Sequence, residues 1–458
     1  MFRQVDDLLA AGESATFVKR KHMDSVTHLQ LNIPDTTKPR VVVIGGGFGG
    51  ANAIKYLNDQ LFQIILFDKS NYNSFWPLLY QVATAGLQPD AIATPLRREF
   101  SNKKDFHFRA LEIQKIDVES KLIITDVGSL RYDYLIIATG SKSNFFGNEL
   151  IKKYSFGLKS IPDALNFRSQ LMQAFERADM TQDPVERRRL LNFVIVGGGP
   201  TGVETSGAIA ELRKHVLCKD YPHLDLSQMK IYLLEGNERV LATMSEHAGT
   251  KAKEYLEKLG VIVKTSTYVD KYDGTTVHLK SGEQIESYCV VWSAGVTGNM
   301  LEGMKPEWIE RGHYLVDADC RIIGSTDIYA IGDISTQKSE KWPKGLPGQA
   351  QPAIQMGKYV GRYLNATVQN KKIKPFKFFD KGALATVGRG KALADLLDNK
   401  LKFGGRFAWY IWLFVHISGL MSFRSKLLVF TNWMWNYFTY DKGNRLIIRP
   451  FVRPDENE

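Results

Sequence analysis

The stretch Arg40-Val41-Val42-Val43-Ile44-Gly45-Gly46-Gly47-Phe48-Gly49-Gly50 decides the fold. Its β-branched start is too short for a helix and reads as a buried parallel strand. The glycines that follow place G-x-G-x-x-G at Gly45, Gly47 and Gly50, with Gly49 inside the turn. A helical pattern comes next (Ala53, Ile54, Leu57), then a second strand, Ile64 to Phe67, closed by Asp68 with Lys69 beside it. Gly45 allows the tight turn, Gly47 lets backbone approach a pyrophosphate, and Gly50 lets the helix pack on the strand. The helix N-terminus offers free N–H groups to phosphate, and a carboxylate at Asp68 can accept ribose hydroxyls. A bare glycine pattern is weak evidence. Strand, helix, strand and terminal acid in register make it a dinucleotide site, since a merely structural turn leaves Asp68 without a purpose.

The pattern recurs about 150 residues later. Phe193 to Val196 reads as a strand, Gly197-Gly198-Gly199-Pro200-Thr201-Gly202 as the turn, and Val203 to Arg213 as a helix. The next strand, Ile231 to Leu234, ends at Glu235 after a polar excursion near Tyr221-Pro222-His223. A carboxylate at Glu235 accepts the adenosine ribose 2′-OH and repels a 2′-phosphate, which selects NADH over NADPH. Gly197, Gly199, Thr201 and Gly202 form the expected pyrophosphate turn. Glu204 has two readings: a first-turn acid complementing the helix dipole, or a group near nicotinamide or flavin that shapes charge and proton traffic. Two dinucleotide sites in one chain imply electron transfer between them, and flavin is the natural partner of nicotinamide.

Three further segments resemble the two-dinucleotide-binding flavoprotein superfamily. They are Leu135-Ile136-Ile137-Ala138-Thr139-Gly140, Val290-Val291-Trp292-Ser293-Ala294-Gly295 and Ile328-Tyr329-Ala330-Ile331-Gly332-Asp333. The resemblance implies FAD at Gly45, Gly47, Gly49, Gly50, Asp68, Lys69, Thr139, Gly140, Asp333 and Ala350, and NADH at Ala294 and Gly295 besides the turn above. Phe75 to Ala83, Gly348-Gln349-Ala350-Gln351-Pro352-Ala353-Ile354-Gln355 and Asp380 to Arg389 narrow the likeness to the type II NADH dehydrogenases, single-subunit and non-pumping. That likeness implies Gln351 and Gln355 near a quinone head, Lys381 near the flavin, and a homodimer. The glutamines also fit a bland reading as caps on a helix packed through small residues, and Lys381 as a surface lysine paired with Asp380. Asn71-Tyr72-Asn73-Ser74 departs from the family, where a histidine is common.

The bulk numbers agree. At 458 residues two or three domains are expected, and 44% hydrophobic with 24% charged residues argues against disorder and against a polytopic membrane protein. A formal charge of +11 favours anionic partners without choosing among them. Cys218, Cys289 and Cys320 form no closely spaced pair and read as buried thiols. No metal cluster and no nucleic-acid motif is present in the sequence pattern. Residues 1–38 have neither a signal-peptide nor a transit-peptide pattern and read as a poorly ordered leader, with Met23 an alternative start.

After Phe403 the composition shifts. Phe407 to Met421 is an apolar run of roughly 22 Å as a helix, too short to cross a bilayer. A second helix is predicted from Leu427, with Leu427, Phe430, Met434 and Phe438 on one stripe. From Lys400 to Arg453 nine Lys/Arg stand against one acid, Asp441. Aromatic faces edged with cations suit the headgroup plane of an anionic membrane, where a quinone is dissolved, with a dimer interface or a buried helix pair as the alternative readings. His416 in this run reads as a structural histidine.

The expected architecture is α/β, with two Rossmann-like domains and a C-terminal amphipathic-helix region. FAD takes residues 39–160 and 310–395, NADH the inserted 161–309, and a membrane-associating part 396–458. The expected activity is hydride transfer from NADH to FAD and two-electron reduction of a membrane quinone, at the cytoplasmic face of a bacterial inner membrane. Glu204 and Lys381 are the expected catalytic residues. A sulfide:quinone oxidoreductase would need a cysteine pair. An NADH-responsive flavin-bearing signalling protein is the other alternative.

Overall fold

The computed structural model describes residues 29–397, 400–440 and 443–454. Most of the expected leader, Asp441 and the acidic tail Asp455–Glu458 lie outside them.

Through the flavin half and the start of the inserted half, the elements that position the site are β1 (Arg40–Ile44), α1 (Phe48–Tyr56), β2 (Gln63–Asp68), β3 (Phe106–Ala110), β4 (Tyr134–Ile137), β5 (Ser141–Ser143) and α2 (Ile161–Met180). Then follow β6 (Asn192–Val196), α3 (Pro200–Leu212), β7 (Lys230–Leu234), β8 (Val261–Lys264), β9 (Cys289–Trp292) and β10 (Val296–Gly298). The chain returns through β11 (Ile328–Ala330) and α4 (Ala350–Val368). It ends with β12 (Gly382–Thr386), β13 (Ala392–Leu396), β14 (Leu401–Gly404), α5 (Gly405–Gly419) and α6 (Phe423–Thr439).

Two parallel sheets form the frame. One has the order β11-β4-β1-β2-β3 and the other β8-β7-β6-β9. In both, the glycine turn follows the strand at which the connection reverses direction, the place where open α/β sheets bind ligands. Both first strands, β1 and β6, have their apolar side chains buried, as parallel strands covered on two faces require.

α4 lies against α1 through glycines. A Cβ on Gly357 would sit 2.2 Å from Gly49 O, and one on Gly361 2.6 Å from Ala53 O. This close approach brings the N-terminus of α4 beside that of α1.

The chain passes between the two sheets at β5 and β10, which pair antiparallel with Ser141 opposite Gly298. That is earlier than residue 160. Phe156 already bridges Val291 in the second sheet, and Ile151 packs in its core. The β12–β14 meander likewise runs through residue 396, because Ala383 to Thr386 pair with Asp395 to Ala392. Hydrophobic pattern marks strands but not which sheet they join.

α6 begins at Phe423, four residues before the expected Leu427. Ser422 caps it by accepting the Ser425 N–H at 3.0 Å, and serine is a strong N-cap residue. Among the described residues no helix is long and apolar enough to cross a membrane.

Candidate active site

The first cradle is built from glycine sterics. Gly45 stands at φ +99°, where a Cβ would meet Ala138 O at 2.3 Å, and a Cβ on Gly50 would meet Gly45 O at 1.9 Å. A Cβ on Gly47 would meet nothing, so the room above it is open to a ligand. Gly47 caps α1 without a side-chain bond, leaving the helix N-terminus free for phosphate. Asp68 accepts the N–H of Gly46 at 2.6 Å and of Ser70 at 2.7 Å, which orients the carboxylate and leaves lone pairs for ribose hydroxyls. Its burial raises its pKa, against the backbone N–H bonds and the neighbouring Lys69.

The second cradle repeats the first. Gly197 has φ +106° with Ser293 C 2.7 Å from a would-be Cβ, Gly202 meets Gly197 O at 1.9 Å, and Gly199 faces open space. Glu235 accepts the Gly198 N–H at 2.5 Å and is held on its other oxygen by Asn237 N at 2.7 Å. Pro200 opens α3 and Thr201 lies exposed on its first turn.

The two cradles are joined by one short ladder. Thr139-Gly140 leads into β5 and Ala294-Gly295 into β10. Asn299 ties the first turn, donating from Nδ2 to Thr139 O at 2.9 Å while its N–H bonds Gly140 O at 3.0 Å. Asn144 N bonds Gly295 O at 3.3 Å from the other side. Asp333 accepts from Ser141 Oγ at 2.8 Å, and Ser141 Oγ in turn accepts from Lys159 Nζ at 3.3 Å. Burial lowers the Lys159 pKa, with Asp333 acting against it. Gly348 packs beside Asp333 just before α4, which places Ala350 at that helix's N-terminus.

Gln351 and Gln355 clamp backbone. Gln351 donates to Gly382 O at 2.8 Å and accepts from Lys381 N at 3.2 Å; Gln355 does the same with Phe379 O and N at 2.8 and 3.0 Å. Both amides therefore fix the segment that carries Lys381, whose side chain is exposed. Asp380 spends one oxygen on Gly382 N at 2.8 Å.

Glu204 is 7% exposed, on α3 one helical turn from the second cradle. Burial pushes its pKa up to about 8, with the Thr386 N–H, 3.3 Å from Oε1, acting the other way. It lines a cavity with Tyr80, Gln81, Thr386, Trp412 and Trp433, closed on one side by α5 and α6. Trp433 Nε1 donates to Gln81 Oε1 at 2.8 Å, locking α6 to the short helix Leu79–Ala83. At one edge the Arg389 guanidinium lies 4.2 Å from the Tyr437 ring and 3.9 Å from the Tyr440 ring, and its Nη1 is buried without a partner. A π-helical turn at Arg213–Leu217 carries His215 to the same cavity, a distortion often seen at functional sites. His416 is structural: it stacks on Trp412 at 4.0 Å, and burial lowers its pKa to about 4.

The pyridine nucleotide-disulphide oxidoreductase family model matches residues 39–357, and the NDH2 C-terminal domain model matches 381–439. The type II NADH:quinone oxidoreductase Ndh of Mycobacterium tuberculosis is 35% identical, covering 89% of this chain and 90% of its own. The chain belongs to the type II NADH:quinone oxidoreductase family. The structure of NDH2 from Plasmodium falciparum in complex with NADH shares the fold with a TM-score of 0.82 at 24% identity, covering 90% of this chain and 100% of that one. The sulfide:quinone oxidoreductase of Aquifex aeolicus shares it less closely, at 0.68 and 17% identity, over 90% and 96%.

This family member has no cysteine pair among its described residues. Cys289 and Cys320 are buried in different cores, and burial pushes the Cys289 thiol up to about 12, where it is inert. Cys218, expected to be buried, is exposed because it sits at the outer end of the helix that continues α3.

Sequence reading missed the cavity. Tyr80 and Gln81 stood in a quoted segment, but no local spacing links them to Trp412, Trp433 or Arg389. Phe146 was missed too: it lies exposed at φ 50°, with Cζ 2.6 Å from a would-be Cβ on Gly295.

Proposed function

We propose that the chain oxidises NADH at the β6–α3 turn and reduces a quinone that enters from an anionic membrane surface, through FAD held at the β1–α1 turn, without pumping protons. The β5–β10 ladder carries this reading, since it holds the two cofactor turns side by side. Family membership supports the flavin and the nicotinamide, and both cradles leave open room where a pyrophosphate would lie. A bound FAD supplies hydride acceptance from nicotinamide and two-electron delivery to quinone. Asp68, Thr139-Gly140, Asp333 and the α4 N-terminus at Ala350 would hold it; Gly197, Gly199, Gly202, Glu235 and Ala294-Gly295 would hold NADH.

The chain's own residues orient the two ligands and govern protons. Holding reactive rings in contact is itself a large part of the acceleration. Glu204, protonated at neutral pH, is a buried proton donor facing the cavity. Gln351 and Gln355 act by fixing the Asp380–Gly382 turn, so that Lys381 is presented from a rigid strand start. The Glu204 cavity, walled by Trp412 and Trp433, is the proposed path for the quinone.

α5 and α6 are the proposed membrane face. Phe407, Phe414, Phe423 and Phe438 are each at least 60% exposed, a concentration of aromatic surface that monomeric proteins rarely leave to water. Docking there sets the enzyme at the cytoplasmic face of a bacterial inner membrane.

Steady-state NADH oxidation by purified enzyme, with and without a short-chain quinone, tests the reading. Fast oxidation that requires quinone, with flavin absorbance bleaching under NADH, supports it. Bleaching without quinone turnover would reject the acceptor and favour a sensor.

A further inference from the structure

Glu235 fixes where the adenosine ribose lies, and the adenine must then extend past the end of β7, away from the pyrophosphate turn. That region is formed by Gly236 and by the loop after β8. The loop is stitched to the strand end: Thr267 N donates to Glu235 O at 2.8 Å and Ser266 N to Asn237 O at 2.9 Å. At its end stands Tyr268, 57% exposed, with Lys280 Nζ 5.8 Å from the ring centroid.

Gly236 is not a glycine that its backbone requires, because it lies outside the left-handed region. Its role is steric. A Cβ there would be 2.7 Å from Tyr268 Cε1, 3.2 Å from Cδ1 and 3.3 Å from Cζ, so the missing side chain is what lets the aromatic ring settle beside Glu235. The arrangement leaves a large, half-exposed aromatic surface beside the strand end that carries Glu235.

We propose that Tyr268 is the stacking platform for the adenine of NADH, seated by Gly236 and anchored by Lys280. The inference rests on NADH binding at Glu235. Aromatic–base stacking needs no hydrogen-bond match and tolerates a half-exposed ring. Tyr268 thus contributes to nucleotide capture and not to the reaction at the nicotinamide.

The test compares NADH with reduced nicotinamide mononucleotide, which carries the same reacting ring and no adenine. Tyr268→Ala should raise KM for NADH roughly five- to thirtyfold, leave kcat at saturation unchanged, and leave the mononucleotide kinetics as in the wild type. Tyr268→Phe should behave as wild type. Gly236→Ala, which pushes the ring aside without touching the core, should raise KM for NADH in the same sense. An unchanged KM in Tyr268→Ala, an equal loss with the mononucleotide, or a loss in Tyr268→Phe as large as in Tyr268→Ala would overturn the assignment while leaving NADH oxidation intact. A wild-type enzyme oxidising neither substrate would remove the premise itself.

Discussion

Replacing Glu204 by glutamine isolates the charge of one buried carboxyl at nearly constant shape. In the folded protein burial holds the group protonated until about pH 8, whereas its ordinary value is 4.5. Below the ordinary value both folded and unfolded chains carry the proton, and the group adds no pH dependence. As pH rises from about 5 to 8 the unfolded chain ionises Glu204 while the folded one cannot, so the folded state loses stability. At about 1.4 kcal/mol per tenfold, the loss approaches roughly 4–5 kcal/mol above pH 8. Glutamine is neutral in both states and does not incur it. Glutamine also keeps an oxygen for the Thr386 N–H, and any cost of its added amide N–H₂ is a pH-independent offset. The slope is therefore the diagnostic. Urea unfolding of the flavin-loaded enzyme at pH 5.5, 6.5, 7.5 and 8.5 should show Glu204→Gln gaining on wild type by about 1 kcal/mol per pH unit up to pH 8, then levelling. Other titrating groups are common to both proteins and cancel in the difference. A stability difference that is the same at pH 5.5 and 8.5 would refute the buried, neutral Glu204.

Glu235→Gln removes the negative charge that faces the ribose 2′ position, so NADPH should gain on NADH by at least tenfold in kcat/KM; unchanged selectivity would sink the assignment. Phe414→Glu with Phe438→Glu should abolish sedimentation with anionic vesicles while retaining turnover of a water-soluble short-chain quinone, and retained vesicle binding would reject the α5–α6 face. Gly357→Ala places a methyl 2.2 Å from Gly49 O and should destabilise the flavin half by about 1–3 kcal/mol, seen as flavin loss at lower temperature. Gln351→Ala frees the Lys381 N–H and Gly382 O and should cost about 1–2 kcal/mol, read as lower protection of those amides in hydrogen exchange.

Both dinucleotide cradles were legible because their chemistry is local. Strand, glycine turn and helix lie within a dozen residues in each copy, and the sterics of Gly45, Gly50, Gly197 and Gly202 follow from the turn itself. The carboxylates Asp68 and Glu235 close the next strand, whose alternation and length could be read the same way. The exposed aromatic character of the last sixty residues was legible from composition. Family likeness added the ladder-flanking turns Thr139-Gly140 and Ala294-Gly295, whose spacing alone carries no meaning.

The surroundings of Glu204 were decided only in three dimensions. Thr386, 182 residues away, supplies its hydrogen bond, and Trp412 and Trp433 arrive from helices further on. The same holds for Gln351 and Gln355, whose amides are taken up by backbone of residues 379–382, and for Cys218, left at the surface. A side chain's partners across such separations depend on how sheets and helices stack, and no period or motif along the chain encodes that. What the sequence determined was which local pieces form the two glycine-turn cradles; what tertiary packing decided was which distant groups line one cavity, and hence how deeply Glu204 is buried, which is what raises its pKa.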